Sequence, residues 1–322
     1  MIMNNKKVTD YINESKNPLF TFEILPPLKG HNIDTIYQAI EPLLEFGPSF
    51  INVTYHQQEE EFKTREDGLI EKKTVSKRPG TVAISAAIKY KYKIPVVPHL
   101  ICGGFSQEET EDALLDLHFL EMRNLLVLRG DPQKNQRRFT PEKGGHEHSL
   151  GLIEQIMNLN KGIYLDNEMK NKTTTNFCVG VAGYPEKHAE SPNMEEDLKY
   201  LKQKIDAGAE YIVTQMFFDN KKYFDFVKLC RSKGINVPII PGLKPIANFN
   251  DVKVIPQIFS IDIPNELIKE VSKCKTNDEV CKVGTEWTIQ QSKELIKFGV
   301  PSLHYFTIGK SKNIKKIAKE IF

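Results

Sequence analysis

The sequence predicts a single closed (β/α)8 TIM barrel. Eight short apolar, β-rich segments are spread along the chain, helical patterns lie between them, and none is followed by the G-x-G-x-x-G turn of a doubly wound dinucleotide fold. The 322 residues exceed the ~250 of a plain barrel, which insertions accommodate. No stretch has the composition of an interdomain linker, so residues 1–322 are expected to form one unit behind a short polar N-terminal extension, residues 1–17.

The first expected strand, residues 19–25, alternates: Phe20, Phe22 and Ile24 face one way, Thr21, Glu23 and Leu25 the other. The second, residues 50–56, puts Asn52, Thr54 and His56 on one face, and the third, residues 96–102, carries His99 near its end. Leu114, Leu117 and Leu120 form a helical stripe before the fourth strand, residues 125–131, which ends on Arg129, Gly130 and Asp131. The fifth strand is expected at residues 177–184. Met194, Leu198, Leu201 and Ile205 then recur at helical spacing, with Gly208 as the stop. The sixth strand, residues 211–218, supplies Thr214 and Gln215, with Asp219 directly after it; the seventh is expected at 237–243. The eighth, residues 303–308, carries His304 and Thr307, with Lys310 just beyond, and Ile314, Ile317, Ala318 and Ile321 mark a last helix. Three connections are long, at residues 57–76, 132–146 and 161–176; the first two follow strands two and four, on the face where barrels build their sites.

Lys and Arg number 44 against 42 Asp and Glu, a net charge of +2, which offers no field for nucleic acid or an anionic membrane. No apolar run approaches the ~20 residues of a membrane span, and residues 1–17 lack the apolar core of a signal peptide, so a cytoplasmic protein is expected. Cys102, Cys178, Cys230, Cys274 and Cys281 show no C-x-x-C spacing and read as reduced thiols. His146 and His148 lack a third ligand or an H-E-x-x-H frame, so no metal is expected. Neither the GVAG at residue 180 nor the GKS at residue 309 completes a P-loop.

Polar groups therefore gather at strand C-terminal ends, which a barrel brings to one mouth. A carboxylate such as Glu23 on the inner face of a strand is either a general acid or half of a buried pair with Lys or Arg.

Taken together, the segments FTFEILPP at Phe20, VTYH at Val53, PHLIC at Pro98, LVLRGDP at Leu126, GYPEKH at Gly183, DAGAEYIVTQMFFD at Asp206 and IIPGLKP at Ile239 resemble the flavin-dependent methylenetetrahydrofolate reductases. The resemblance runs over nearly the whole chain and is to the catalytic barrel, without the C-terminal regulatory domain of larger members. It implies noncovalent FAD, NADH or NADPH as co-substrate, and a ping-pong reduction of 5,10-methylenetetrahydrofolate to 5-methyltetrahydrofolate that feeds one-carbon metabolism and methionine synthesis. Glu23 matches the family's acid, Asp131 the carboxylate beside flavin and folate, and Gln215 the folate-orienting amide, while Lys310 stands where relatives have an Arg after strand eight. The family's cofactor contacts fall on Thr54, His99, Arg129, Gly130, Asp131, His148, Ser149, Tyr184, His188, Ser191, Asp197 and Lys204. Tyr200, Gln203, Asp251 and Ile255 depart from the pattern; at the last two the family has a folate-contacting Gln and a stacking Phe. The implied partners are small molecules and further copies of the chain. A proline-dehydrogenase-like flavoenzyme, or a flavin- or folate-binding barrel without turnover, is the alternative.

Overall fold

A computed structural model describes residues 6–133, 136, 138–307 and 311–322. The chain opens with α1 (Val8–Glu14) and β1 (Leu19–Ile24), followed by α2 (Asp34–Ile40), a 3₁₀ segment (Glu41–Phe46) and β2 (Phe50–Val53). Strands β3 (Glu59–Thr64) and β4 (Ile70–Val75) come next, then α3 (Thr81–Tyr92), β5 (Val96–Ile101), α4 (Gln107–Phe119), β6 (Asn124–Leu128), α5 (Ser149–Asn160) and β7 (Cys178–Gly183). After α6 (Met194–Asp206), β8 (Tyr211–Thr214) and α7 (Asn220–Ser232) lie β9 (Ile239–Ile240) and β10 (Gly242–Leu243). Three helices, α8 (Asp251–Phe259), α9 (Asn265–Ser272) and α10 (Asn277–Phe298), precede β11 (Ser302–Phe306) and α11 (Lys312–Ile321).

Parallel pairing runs β1, β2, β5, β6, β7, β8, β9 on one side and β1, β11, β10 on the other. Strands β9 and β10 are two halves of one barrel strand interrupted at Pro241, so this order closes an eight-membered parallel barrel. Proline has no N–H for the ladder, yet its carbonyl still serves, accepting from the His304 amide at 3.1 Å. All eight segments expected from the sequence are barrel strands, each shortened at one or both ends.

Side-chain alternation sorts the core into two layers. Phe22, Ile51, Val53 and Val127 point outward against helix residues such as Ile88, Leu114, Ile153 and Leu198, which show almost no exposure. Inside the lower barrel, Phe50, Val97, Leu126, Tyr211 and Ile240 pack on Leu19 and Val8. Tyr211 fits there because Gly180 opposite it has no side chain: a Cβ would sit 2.2 Å from the ring, while the phenol donates to the Leu125 carbonyl at 2.9 Å.

Two features were not foreseen. The polar N-terminal segment contains α1, which closes the lower end of the barrel. The Val8 amide donates to Asn124 Oδ1 at 2.8 Å, Asn124 Nδ2 donates to the Lys6 carbonyl at 3.0 Å, and Lys7 pairs with Glu210 at 3.0 Å. The long connection after β2 is a hairpin, β3 against β4, turning at Gly68 with φ +81° and tied by an Arg65 N–H to Leu69 carbonyl bond of 2.8 Å. Among the described residues no helix is long and apolar enough to cross a membrane. All five cysteines are unpaired, and burial pushes the thiols of Cys102, Cys178 and Cys230 up to about 12.

Candidate active site

The upper half of the barrel interior is polar. Glu23 Oε2 lies 3.8 Å from His99 Nε2 and 3.9 Å from His304 Nε2, and among the described residues no Lys or Arg pairs with it. His304 is fully buried; its Nδ1 meets Thr21 Oγ1 at 3.0 Å. His99 Nε2 lies 3.2 Å from Asn52 Nδ2. Among the described residues, Asn52 Oδ1, Thr54 Oγ1 and His304 Nε2 are buried without a hydrogen-bond partner. Such orphans are costly in a closed core and expected where a polar ligand is received.

Burial brings the His99 imidazole down to about 4 from its ordinary 6.5, against the opposing pull of Glu23. The native state thus binds its proton less readily than the unfolded chain, and stability falls as pH drops from 6.5 through 4. His99→Gln is expected to flatten that acid loss by up to ~3 kcal/mol, read from urea unfolding across the window. An unchanged slope would show that His99 is hydrated.

Beside this column, a cavity of about 330 Å³ opens between β6, β7, α5 and α6. Eight of the sequence-derived cofactor residues line it: Arg129, His148, Ser149, Tyr184, His188, Ser191, Asp197 and Lys204. Tyr200 and Gln203 line it too, so the two departures on α6 alter the cavity wall itself. Gly130 takes φ +89° with Ile101 Cδ1 only 3.1 Å from where a Cβ would be, which turns the chain sharply at the end of β6. The first turn of α5 brings Ser149 and Leu150 to the cavity, next to Arg129 and Lys204. The start of α5, Arg129 and Lys204 thus bring hydrogen-bond donors to the cavity, beside the carboxylates of Glu190 and Asp197. Burial lowers the Lys204 ammonium below its ordinary value, while nearby Asp197 opposes the shift. Asp197 also fixes the adjoining loop, accepting from the His188 amide at 3.1 Å and the Ser191 hydroxyl at 2.8 Å.

Two polar residues of this region, Glu190 and Gln57, escaped the sequence reading, while His56 is where the second strand was expected to put it. Glu190 grips Arg129 through both guanidinium nitrogens, at 2.6 and 2.8 Å. His56 feels the charges of both Asp131 and Glu23, though burial and Arg78 keep its imidazole below the ordinary range. Gln57 donates to the Asp131 carbonyl at 2.7 Å. Asp131 itself is exposed, and its charge is felt at Arg129 and Tyr184. Gln215 follows β8 and its Oε1 accepts from the Met216 amide at 2.9 Å. Lys310 lies outside the described residues.

Ile255 is buried among Met216, Phe218 and Ile246, in a core separate from the mouth. Asp251 caps a turn, accepting from the Ala247 amide at 2.7 Å, and pairs with Lys244 at 3.5 Å.

The fold and this mouth define a parallel α/β barrel with its polar residues gathered at the strand C-termini, the face where such barrels build their sites. A profile of the family described as methylenetetrahydrofolate reductase matches residues 7–321, and the chain belongs to that family. Its curated relatives include methylenetetrahydrofolate reductase (NADH) 1 of Arabidopsis thaliana, 30% identical over 320 residues, and 5,10-methylenetetrahydrofolate reductase of Salmonella typhimurium, 28% identical over 292. The alignment spans 95% of this chain and 49% of the plant protein, but 90% and 86% for the bacterial pair. Thus the chain spans about half the length of the eukaryotic relatives it matches. A probable NADPH-dependent member from Caenorhabditis elegans is 28% identical over 311 residues, covering 96% of this chain and 43% of its own length. Among solved structures, an uncharacterized Clostridium thermocellum protein that binds two copies of 5-methyl-5,6,7,8-tetrahydrofolic acid superposes with TM-score 0.58 at 14% identity, covering 97% of each chain. That likeness is one of fold.

Proposed function

We propose that the protein is an FAD-dependent reductase that converts 5,10-methylenetetrahydrofolate to 5-methyltetrahydrofolate with NADH or NADPH in a ping-pong cycle. The observation that carries this reading is the juxtaposition of an anion cradle at Arg129, Lys204 and the α5 N-terminus with the inward-facing Glu23 and its two imidazoles. The cradle suits a pyrophosphate, and the buried Thr54 hydroxyl, which has no partner among the described residues, offers a further polar contact. When bound, FAD would take a hydride from the nicotinamide and return one to the folate.

The residues of the chain supply the rest. Opening the folate's five-membered ring requires a proton on the departing nitrogen, and Glu23 is placed to hold and give it. His99, kept neutral by burial, adds no competing positive charge beside that carboxyl group. Asp131, exposed at the end of β6, would stabilise the cationic iminium that ring opening leaves. Gln215 would orient the folate. Arg129 and Lys204 bind without entering the chemistry.

The test is the absorption spectrum of the purified protein, taken anaerobically before and after NADH and then after the folate. A flavin band that bleaches with NADH and returns with methylenetetrahydrofolate is expected. A preparation that gains no flavin band on adding FAD would refute the cofactor assignment, and bleaching without return would refute the folate.

A further inference from the structure

We infer that Lys244 is a substrate-recognition residue that takes an anionic oxygen, carboxylate or phosphate, of the molecule bound over the barrel mouth. The inference rests on the reductase reading above and adds to it a contact of this chain's own. Gly242 is in register with His304 and Leu243 with Tyr305. His304 faces the barrel interior beside Glu23, and Leu243 belongs to the outer core. Lys244 is the next residue, one step beyond the C-terminal end of β10, on the face where barrels place their recognition groups, and alternation carried on from Gly242 would turn it inward.

Its surroundings distinguish it from a surface lysine. The side chain is only 11% exposed, and burial draws the ammonium below its ordinary value. Among the described residues its one partner is Asp251, at 3.5 Å. That carboxylate is already engaged: Oδ2 accepts from the Ala247 amide at 2.7 Å and Oδ1 from Asn248 Nδ2 at 3.0 Å. An ammonium has three donors, so Lys244 keeps capacity that Asp251 does not use. Asp251 holds the cation in place, and the cation is left to meet a ligand oxygen. The same Asp251 stands where the family resemblance puts a folate-contacting amide, so recognition has passed from that position to the lysine paired with it.

Both proposed substrates carry suitable oxygens, the folate in its glutamate carboxylates and the dinucleotide in its phosphates. The test uses FAD-loaded protein. The affinity for 5-methyltetrahydrofolate is read from the perturbation of the flavin spectrum, and that for NADH from the concentration dependence of anaerobic bleaching, in wild type, Lys244→Met and Lys244→Arg. Losing a charge-assisted hydrogen bond is expected to weaken one ligand by ~10–100-fold in Lys244→Met, with partial recovery in Lys244→Arg. Weakening of the folate alone assigns the cation to a carboxylate, and of NADH alone to a phosphate. Both affinities unchanged, alongside a lowered melting temperature, would overturn the proposal and leave a purely structural ion pair. A wild-type protein that takes up FAD but responds to neither ligand would refute the reductase reading instead.

Discussion

Glu23→Gln is expected to separate the two halves of the catalytic cycle. Hydride transfer from the nicotinamide opens no ring and consumes no proton from the protein, so bleaching of the flavin by NADH should proceed at close to the wild-type rate. Return of the flavin band on adding methylenetetrahydrofolate should slow by ~10²–10⁴-fold, the loss typical of a removed general acid. The amide keeps the size of the carboxyl group, which lies between two imidazoles at 3.8 and 3.9 Å, so the barrel should fold unchanged. Stopped-flow traces with both halves slowed equally would reject the acid role and point to a general disturbance of the mouth.

For Asp131→Asn the expected effect is ~10²–10³-fold on folate reduction, the range for removing one oriented electrostatic partner of a developing charge. A negative charge at the mouth opposes adding an electron pair to a flavin there, so the same substitution should raise the flavin's reduction potential. The competing account is structural: Asp131 starts the turn before Pro132, and its backbone carbonyl accepts from Gln57. Asn serves a turn as well as Asp and keeps that carbonyl. Anaerobic redox titration with single-turnover folate reduction decides between them, since a wild-type potential and rate would leave only the turn.

Much of the barrel was legible because inner and outer faces differ in chemistry. Phe20, Phe22 and Ile24 against Thr21 and Glu23 declare a strand with one greasy and one polar side, and the structure keeps that division. The β3–β4 hairpin was not legible, because EEEFKT and IEKKTV lie in solvent and need no alternation; charged pairs such as Lys72 with Glu60 and Lys77 with Glu61 at 3.2 Å link its surface. The break at Pro241 was not read because Ile239, Ile240 and Leu243 on its two sides fit one strand.

In the site, eight of the positions expected to contact a cofactor line one cavity, because their motifs sit at strand and helix ends that the fold brings together. Glu190 and Lys244 were missed for a different reason. Their roles depend on partners 61 and 7 residues away, Arg129 and Asp251, and pattern in one sequence does not reveal such pairings. Asp251 and Ile255 could be recognised as departures from the family, but only packing shows that one has become a turn cap and the other core.

Closure of the barrel ties the two ends of the chain together, and this governs how the protein is made. Strand β1 pairs on one side with β2, which emerges soon after it, and on the other with β11, where Thr21 and Ser302 are 281 residues apart. At ~5–20 residues per second, a ribosome would leave one edge of β1 open for roughly 15–60 s before its second neighbour exists. During that interval the nascent sheet is an open template for other strands, and the Glu23–His304 arrangement does not yet exist. Catalytic competence would then arise only at the last folding step, and chains released early would expose an apolar edge instead of a partly working site.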